Sequence, residues 1–147
     1  MGYVPAGPVR HQGQGDDVPR RQHRGAGGHL ADLSGDRRAL GRLGEVIAAR
    51  FLERRGGLVV ARNVTVGGGE IDLVVRWTDG HAAVEVRTVG PEAVTEDPVD
   101  RVHHRKLAQV RRLADLLAPG YGPLRVDFVG VAVGRNAVTV RWLPNVV

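Results

Sequence analysis

The chain contains no cysteine. Disulfides, thiolate zinc centres and a cysteine nucleophile are therefore excluded, and the lack suits a reducing cytoplasm. Serine is almost as scarce. Ser34 is the only one, it stands in the N-terminal segment, and no G-x-S-x-G elbow exists for esterase-type chemistry. Aromatic residues make up 4%, too few for a platform on which bases stack. No apolar run approaches the roughly 18 residues that span a bilayer. The start, MGYVPAGPVRHQG, has no apolar stretch after a basic one, so neither a membrane segment nor a secretory signal is expected. No helix pattern follows the run Gly67 to Gly69, so it is not a phosphate loop, and no small-molecule cofactor is expected.

What the chain does have is positive charge. The formal net charge is +5 and the pI about 10.9. Such a balance attracts polyanions, nucleic acid among them, provided the cations cluster. Lys106 is the only lysine, so nearly all of the charge is arginine, which reflects genomic base composition before function. With 147 residues, 42% of them hydrophobic, the chain can build one core and one domain.

Residues 1–35 hold eight glycines, three prolines and three of the six histidines, without helix or strand period. They are expected to be a disordered Gly/Arg-rich tail, since they cannot bury enough apolar surface to offset ordering. Residues 36–147 are expected to form the domain. Asp36 is a candidate N-cap for a helix whose apolar stripe is Leu40, Leu43, Gly44, Ile47, Ala48, Phe51 and Leu52. Gly56-Gly57 ends that helix. Strands are expected over 58–66, 70–76 and 81–87, the last two joined around Asp79-Gly80. A second helix runs from Asp100 to Ala118 and is stopped by Pro119-Gly120. Strands follow at 124–133, apolar on both faces, and at 137–142. The order α-β-β-β-α-β-β implies an α/β domain with a mixed sheet of about five strands and a crossover between parallel strands.

The most informative stretch is 70–87. Side chains alternate along a strand, so Ile71, Leu73 and Val75 should share one face, with Glu70, Asp72 and Val74 on the other. A hairpin centred on Asp79-Gly80 pairs Leu73 with Val86 and Val75 with Val84, and sets Asp72 opposite Arg87 with Glu85 one diagonal away. Two carboxylates about 5 Å apart repel by roughly 3 kcal/mol at an effective dielectric near 20. A proton, an arginine or a cation must therefore stand between them. Two arrangements meet that need: an Asp72–Arg87 ion pair beside a solvated Glu85, or a site for Mg²⁺ or Mn²⁺, which oxygen ligands suit. Glu45 lies at the edge of the first helix's apolar stripe and can face the same sheet surface, with Gly41 one turn before it leaving room for close approach.

Taken together, GRLGEVIAARFLERRG, ARNVTVGGGEIDLVV, AAVEVRT and LRVDFVGVAV resemble, in order, the motifs of the YraN family of uncharacterised bacterial proteins, over about residues 38–143. That family is similar to the restriction-endonuclease-like PD-(D/E)XK fold and, within it, to archaeal Holliday-junction resolvases. The resemblance implies a metal-dependent endodeoxyribonuclease acting on branched or single-stranded DNA, or a non-catalytic nuclease-like module that binds DNA or protein. It implies Asp72 and Glu85 as metal ligands, with Mg²⁺ or Mn²⁺ neutralising charge on the scissile phosphate. Glu45 is implied to orient a water or a second metal, and Arg87 to stand where nucleases place lysine. Arginine there keeps charge stabilisation but cannot act as a base.

The second helix departs from the family in carrying His103 where a lysine is common. Arg101, His104, Arg105, Arg111 and Arg112 share a broad face, a cationic strip suited either to solvent or to a phosphate backbone. His103 and His104 point about 100° apart and do not suit one metal. DNA is thus the expected partner and the cytoplasm the expected location. A homodimer is implied by the resolvase-like relatives alone.

Overall fold

A computed structural model describes residues 36–93 and 103–147. The expected tail, together with Asp100 and Arg101, lies outside the described residues. Helix α1 spans Arg37–Glu53, and the Asp36 carboxylate caps it by accepting from the N–H groups of Arg38 and Ala39. Strands β1 (Leu58–Val66), β2 (Gly69–Trp77) and β3 (Gly80–Val89) follow, then helix α2 (His104–Tyr121) and strands β4 (Leu124–Val133) and β5 (Val138–Leu143). The sheet order is β1-β2-β3-β4-β5. Only the β3–β4 pair, spanned by α2, is parallel. The expected mixed five-stranded α/β sheet is the observed one.

Each helix covers one face. Ala48, Ala49 and Leu52 of α1 pack on Leu73, Val75, Val84, Val129 and Val131. Leu107, Val110, Leu113 and Ala114 of α2 pack on Ile71, Val74, Ala83, Val126 and Phe128. Burying a Val or Leu side chain is worth roughly 1.5–3 kcal/mol, so these two layers fix which side of the sheet every strand residue takes. α2 continues past Pro119 to Tyr121 rather than stopping there. Proline loses only the N–H that would reach the Asp115 carbonyl. The helix closes one turn later, where Gly122 (φ 76°) donates to the Ala118 carbonyl at 2.8 Å.

The expected hairpin register is wrong by two residues. Trp77 pairs with Gly80, so the turn is the two-residue loop Thr78-Asp79, and the ladder reads Val75–Ala82 and Leu73–Val84. The loop has the length the expected register implies but begins one residue earlier, which slides β3 by two positions, preserving its faces but changing every partner.

The expected strand alternation also fails once. Ile71 packs with α2, whereas Leu73 and Val75 pack with α1. On β1, Ala61 and Val64 likewise share the α2 side. The rungs Arg62–Leu73 and Val64–Ile71 keep one register, and between them Asn63 has φ 49°. Both strands thus invert their in-and-out order at the rung of Asn63 and Asp72, where the left-handed backbone of an asparagine is tolerated.

A fourth difference concerns the helix-to-sheet approach. It is Gly44, not Gly41, that lets α1 come close. A Cβ at Gly44 would overlap the Thr88 hydroxyl and stand 2.8 Å from its Cβ, whereas one at Gly41 meets nothing within 4 Å.

Candidate functional site

Beyond the Leu73–Val84 rung, β2 and β3 part. β2 goes on pairing with β1 as far as Gly69, and β3 with β4 as far as Val89. The sheet forks, and the acids lie at the fork. One step past the last rung, Asp72 is level with Glu85, not with Arg87. Parting the strands would leave the Val86 N–H without a partner, and Asp72 Oδ2 accepts from it at 2.7 Å. Asp72 is thereby aimed within the sheet plane, toward β3.

Glu85 is 3% exposed, on the α2 side of β3 with Ala83. Its Oε1 lies 3.6 Å from Arg87 Nε and 3.8 Å from Lys106 Nζ, while Oε2 is buried with no hydrogen-bond partner. Burial first, and then repulsion by Asp72, pushes the Glu85 carboxyl up to about 7. Asp72 is raised in the same direction, again by burial first, against the lowering effect of the Val86 N–H and Lys106.

Glu45 is half-buried on the flank of α1, the edge position expected from its helical phase. Its carboxyl is raised by burial and then by Asp72 and Glu70. The expectation that positions 72, 85 and 87 share the surface turned toward Glu45 is not met. α1 covers the opposite face from Glu85, so the three acids straddle the sheet, with Asp72 in the fork between the other two. Among the described residues no group of three Asp, Glu or His side chains could hold one metal ion.

Asp72 and Glu85 nevertheless fit a hydrated divalent cation. Mg²⁺ keeps several waters and commonly takes only one or two carboxylates. The two carboxyls share a hydrogen bond when one of them is protonated, and a cation in that place would relieve the same repulsion.

Arg87, its side chain 46% exposed, reaches Glu85 rather than Asp72. Lys106, the only lysine, was not singled out in the sequence as a site residue, yet α2 brings it to Glu85 from the other side. Its signal lay in helical phase: Lys106 is one residue before Leu107, which α2 buries against the sheet.

The cationic strip divides. His104 and Arg105 are exposed beside Lys106. Arg111 is paired with Asp115 at 2.7 Å, and Arg112 donates to the Gly67 carbonyl at 3.2 Å. Arg101 lies outside the described residues.

An acid was also missed. β4 carries Asp127 at 0% exposure, in a stretch that read as apolar on both faces. It accepts from Arg125 Nε at 2.9 Å, Trp142 Nε1 at 3.1 Å and the Asn145 N–H at 2.9 Å. Trp142 stacks on Trp77 with ring centres 5.3 Å apart. With its hydrogen bonds satisfied by β4, β5 and the segment after it, Asp127 is a structural anchor rather than part of the fork.

Comparison with known proteins follows the same outline. A model of the uncharacterised protein family UPF0102 matches residues 44–131. A UPF0102 protein of Roseiflexus castenholzii is 37% identical over 125 residues, covering 78% of this chain and 98% of its own. One from Streptomyces griseus is 39% identical over 109 residues, covering 71% of this chain and 91% of its own. Among solved structures, Pyrococcus furiosus SfsA in complex with Ca²⁺ aligns at 14% identity with a TM-score of 0.33, over 78% of this chain and 63% of that one. The family match spans the fork from α1 to β4, and with it the chain belongs to the uncharacterised protein family UPF0102.

Proposed function

We propose that the protein is a divalent-cation-dependent, endonuclease-like enzyme that acts on branched or single-stranded DNA. The observation that carries this reading is Glu85, a buried acid with an unpartnered oxygen, level with Asp72 where the sheet opens. A purely structural acid would have its oxygens hydrogen-bonded, as those of Asp127 are. Mg²⁺ or Mn²⁺, held by Asp72 and Glu85, would supply the positive charge that a scissile phosphate needs.

The chain's own residues do the rest. Asp72 is held in aim by the Val86 N–H. Arg87 and Lys106 flank Glu85 and offer charge to the phosphate. Arginine cannot give up a proton, so any proton transfer assigned to a basic side chain here falls to Lys106. Glu45, on the far side of the fork, orients a water. His104 and Arg105 lie where a DNA backbone would run. Arg111 and Arg112, already engaged within the protein, extend that strip, and Arg101, expected from the sequence to join it, lies outside the described residues. No described helix is long and apolar enough to cross a membrane, and the reading places the protein in the cytoplasm with its DNA. A two-fold-symmetric junction would require a homodimer.

Arg87 in the lysine position favours one alternative, a nuclease-like module that binds DNA or protein without cutting it. Calorimetric titration with Mg²⁺ and Mn²⁺, followed by incubation with forked, cruciform and single-stranded DNA, tests both. The enzyme binds metal and cuts, and both properties vanish in Asp72→Ala and Glu85→Ala. The module shifts DNA in a salt-sensitive way without cutting, and the two substitutions leave binding intact or tighten it. A wild-type protein that takes up neither cation and no DNA refutes the enzyme and the DNA-binding module, and leaves only a module that binds protein.

A further inference from the structure

Gly41 is a glycine for which the fold supplies no reason. It lies inside α1, its φ is not positive, and a Cβ there would meet nothing within 4 Å. Glycine in a helix interior lowers stability relative to alanine, and neither packing nor backbone conformation offsets that at Gly41. Gly41 borders a cleft of about 560 Å³ that has Leu40 and Glu45 on the α1 side and Arg87, Val89 and Glu92 on the other. That volume is within the roughly 300–1,000 Å³ that holds a drug-sized molecule, the scale of one nucleotide unit.

Arg87 also borders a second hollow, of about 570 Å³, lined from α2 by His103, His104, Arg105 and Lys106. The two differ in charge. The α2 hollow is lined by Arg87, Arg105 and Lys106, with a single acid, Glu85, beside Arg87 and Lys106. In the α1 cleft Arg37 and Arg87 are balanced by Glu45 and Glu92. A phosphate is drawn to the first and gains little in the second, where two carboxylates cancel the two arginines. What the second can take is the uncharged part of a nucleotide. Leu40 and Val89 give apolar contact for a base, and the carboxylates accept from amino and hydroxyl groups. A base stacked and paired in a duplex cannot enter such a cleft, whereas an unpaired one can.

We propose that the cleft floored by Gly41 seats an unpaired nucleoside of the DNA, with its phosphate lying across Arg87 toward Lys106. Gly41 is then a specificity-determining residue that favours single-stranded and branched DNA over duplex. This rests on the nuclease-like reading and names the feature of the substrate that its site would select.

The test compares wild type with Gly41→Ala, Gly41→Gln and Gly41→Leu in the full chain. Fluorescence anisotropy follows a labelled single-stranded oligonucleotide and a blunt duplex in Mg²⁺, and circular dichroism follows melting. All three substitutions introduce better helix formers into open space, so the melting temperature should hold or rise by about 2–4 °C. Gly41→Gln and Gly41→Leu should weaken single-strand binding by about tenfold or more, equivalent to roughly 1.4 kcal/mol, with duplex binding changed less than about twofold. Gly41→Ala falls between wild type and these. Folded Gln and Leu variants that bind single strands as wild type does overturn the cleft assignment and leave the nuclease-like reading standing. Equal losses on both DNAs overturn the selectivity. A wild type that binds no DNA overturns the nuclease-like reading and this assignment with it.

Discussion

Replacing Glu85 with glutamine should stabilise the metal-free protein at high pH and change it little at low pH. The folded protein holds the Glu85 proton more tightly than the unfolded chain does, up to about 7 against an ordinary 4.5. Stability from the protonated carboxyl is therefore fully present below about 4.5 and is lost as pH rises through about 7. At about 1.36 kcal/mol per pH unit that interval amounts to about 3 kcal/mol. Asp72, shifted in the same direction, adds to the loss. Glutamine has the shape of the protonated acid and no charge to desolvate, so Glu85→Gln should escape most of the decline. Urea unfolding in EDTA at several values between pH 5 and 8 measures it directly. The wild-type midpoint should fall across that range while the Glu85→Gln midpoint stays nearly level, the two curves meeting toward pH 5. Saturating Mg²⁺ should restore wild-type stability at pH 8 and leave Glu85→Gln unmoved. Parallel pH curves for the two proteins would refute the reasoning, since the cost would then not reside in the Glu85 charge.

Two further outcomes concern the frame of the site. Asp127→Ala removes the acceptor shared by Arg125, Trp142 and the Asn145 N–H, and should destabilise by roughly 3–5 kcal/mol as a broken buried pair does; a loss under about 1 kcal/mol in chemical denaturation would contradict the anchor role. Gly44→Ala should cost about 1–3 kcal/mol despite alanine's better helix propensity, because its methyl meets Thr88. The double variant with Thr88→Ala should recover part of that, and strict additivity in the double-mutant cycle would show that the two positions do not touch.

The broad architecture was legible because it rests on local signals. The Asp36 cap, the apolar stripe of α1 and the strand runs each encode their element within a few residues, and all appear in the structure with ends displaced by a residue or two. The α2 end was misread because a proline in the last turn costs only one hydrogen bond there. The acids at 72 and 85 were legible as a pair, since charge inside apolar strands stands out. Their geometry was not. It depends on a turn that begins one residue earlier and on a rung where two strands change step together, and no single strand's alternation records either. Asp127 was missed for a related reason: one acid in a run of valines looks like an interruption until β5 brings Trp142 to it. Lys106 reaches Glu85 only through the β3-α2-β4 crossover, a long-range placement that its own neighbours in sequence cannot announce.

The inverted rung at Asn63 and Asp72 gives control of the fork to a residue on the neighbouring strand. Asn63 sits at φ 49°, a conformation that valine or isoleucine, the usual occupants of a strand, would resist. Drift of β1 toward a more ordinary strand sequence would therefore pull the rung back into step and swing Asp72 out of the sheet plane, without altering a single acid. A substitution at position 63 alone could thus change the geometry of the fork while every carboxylate stayed in the sequence.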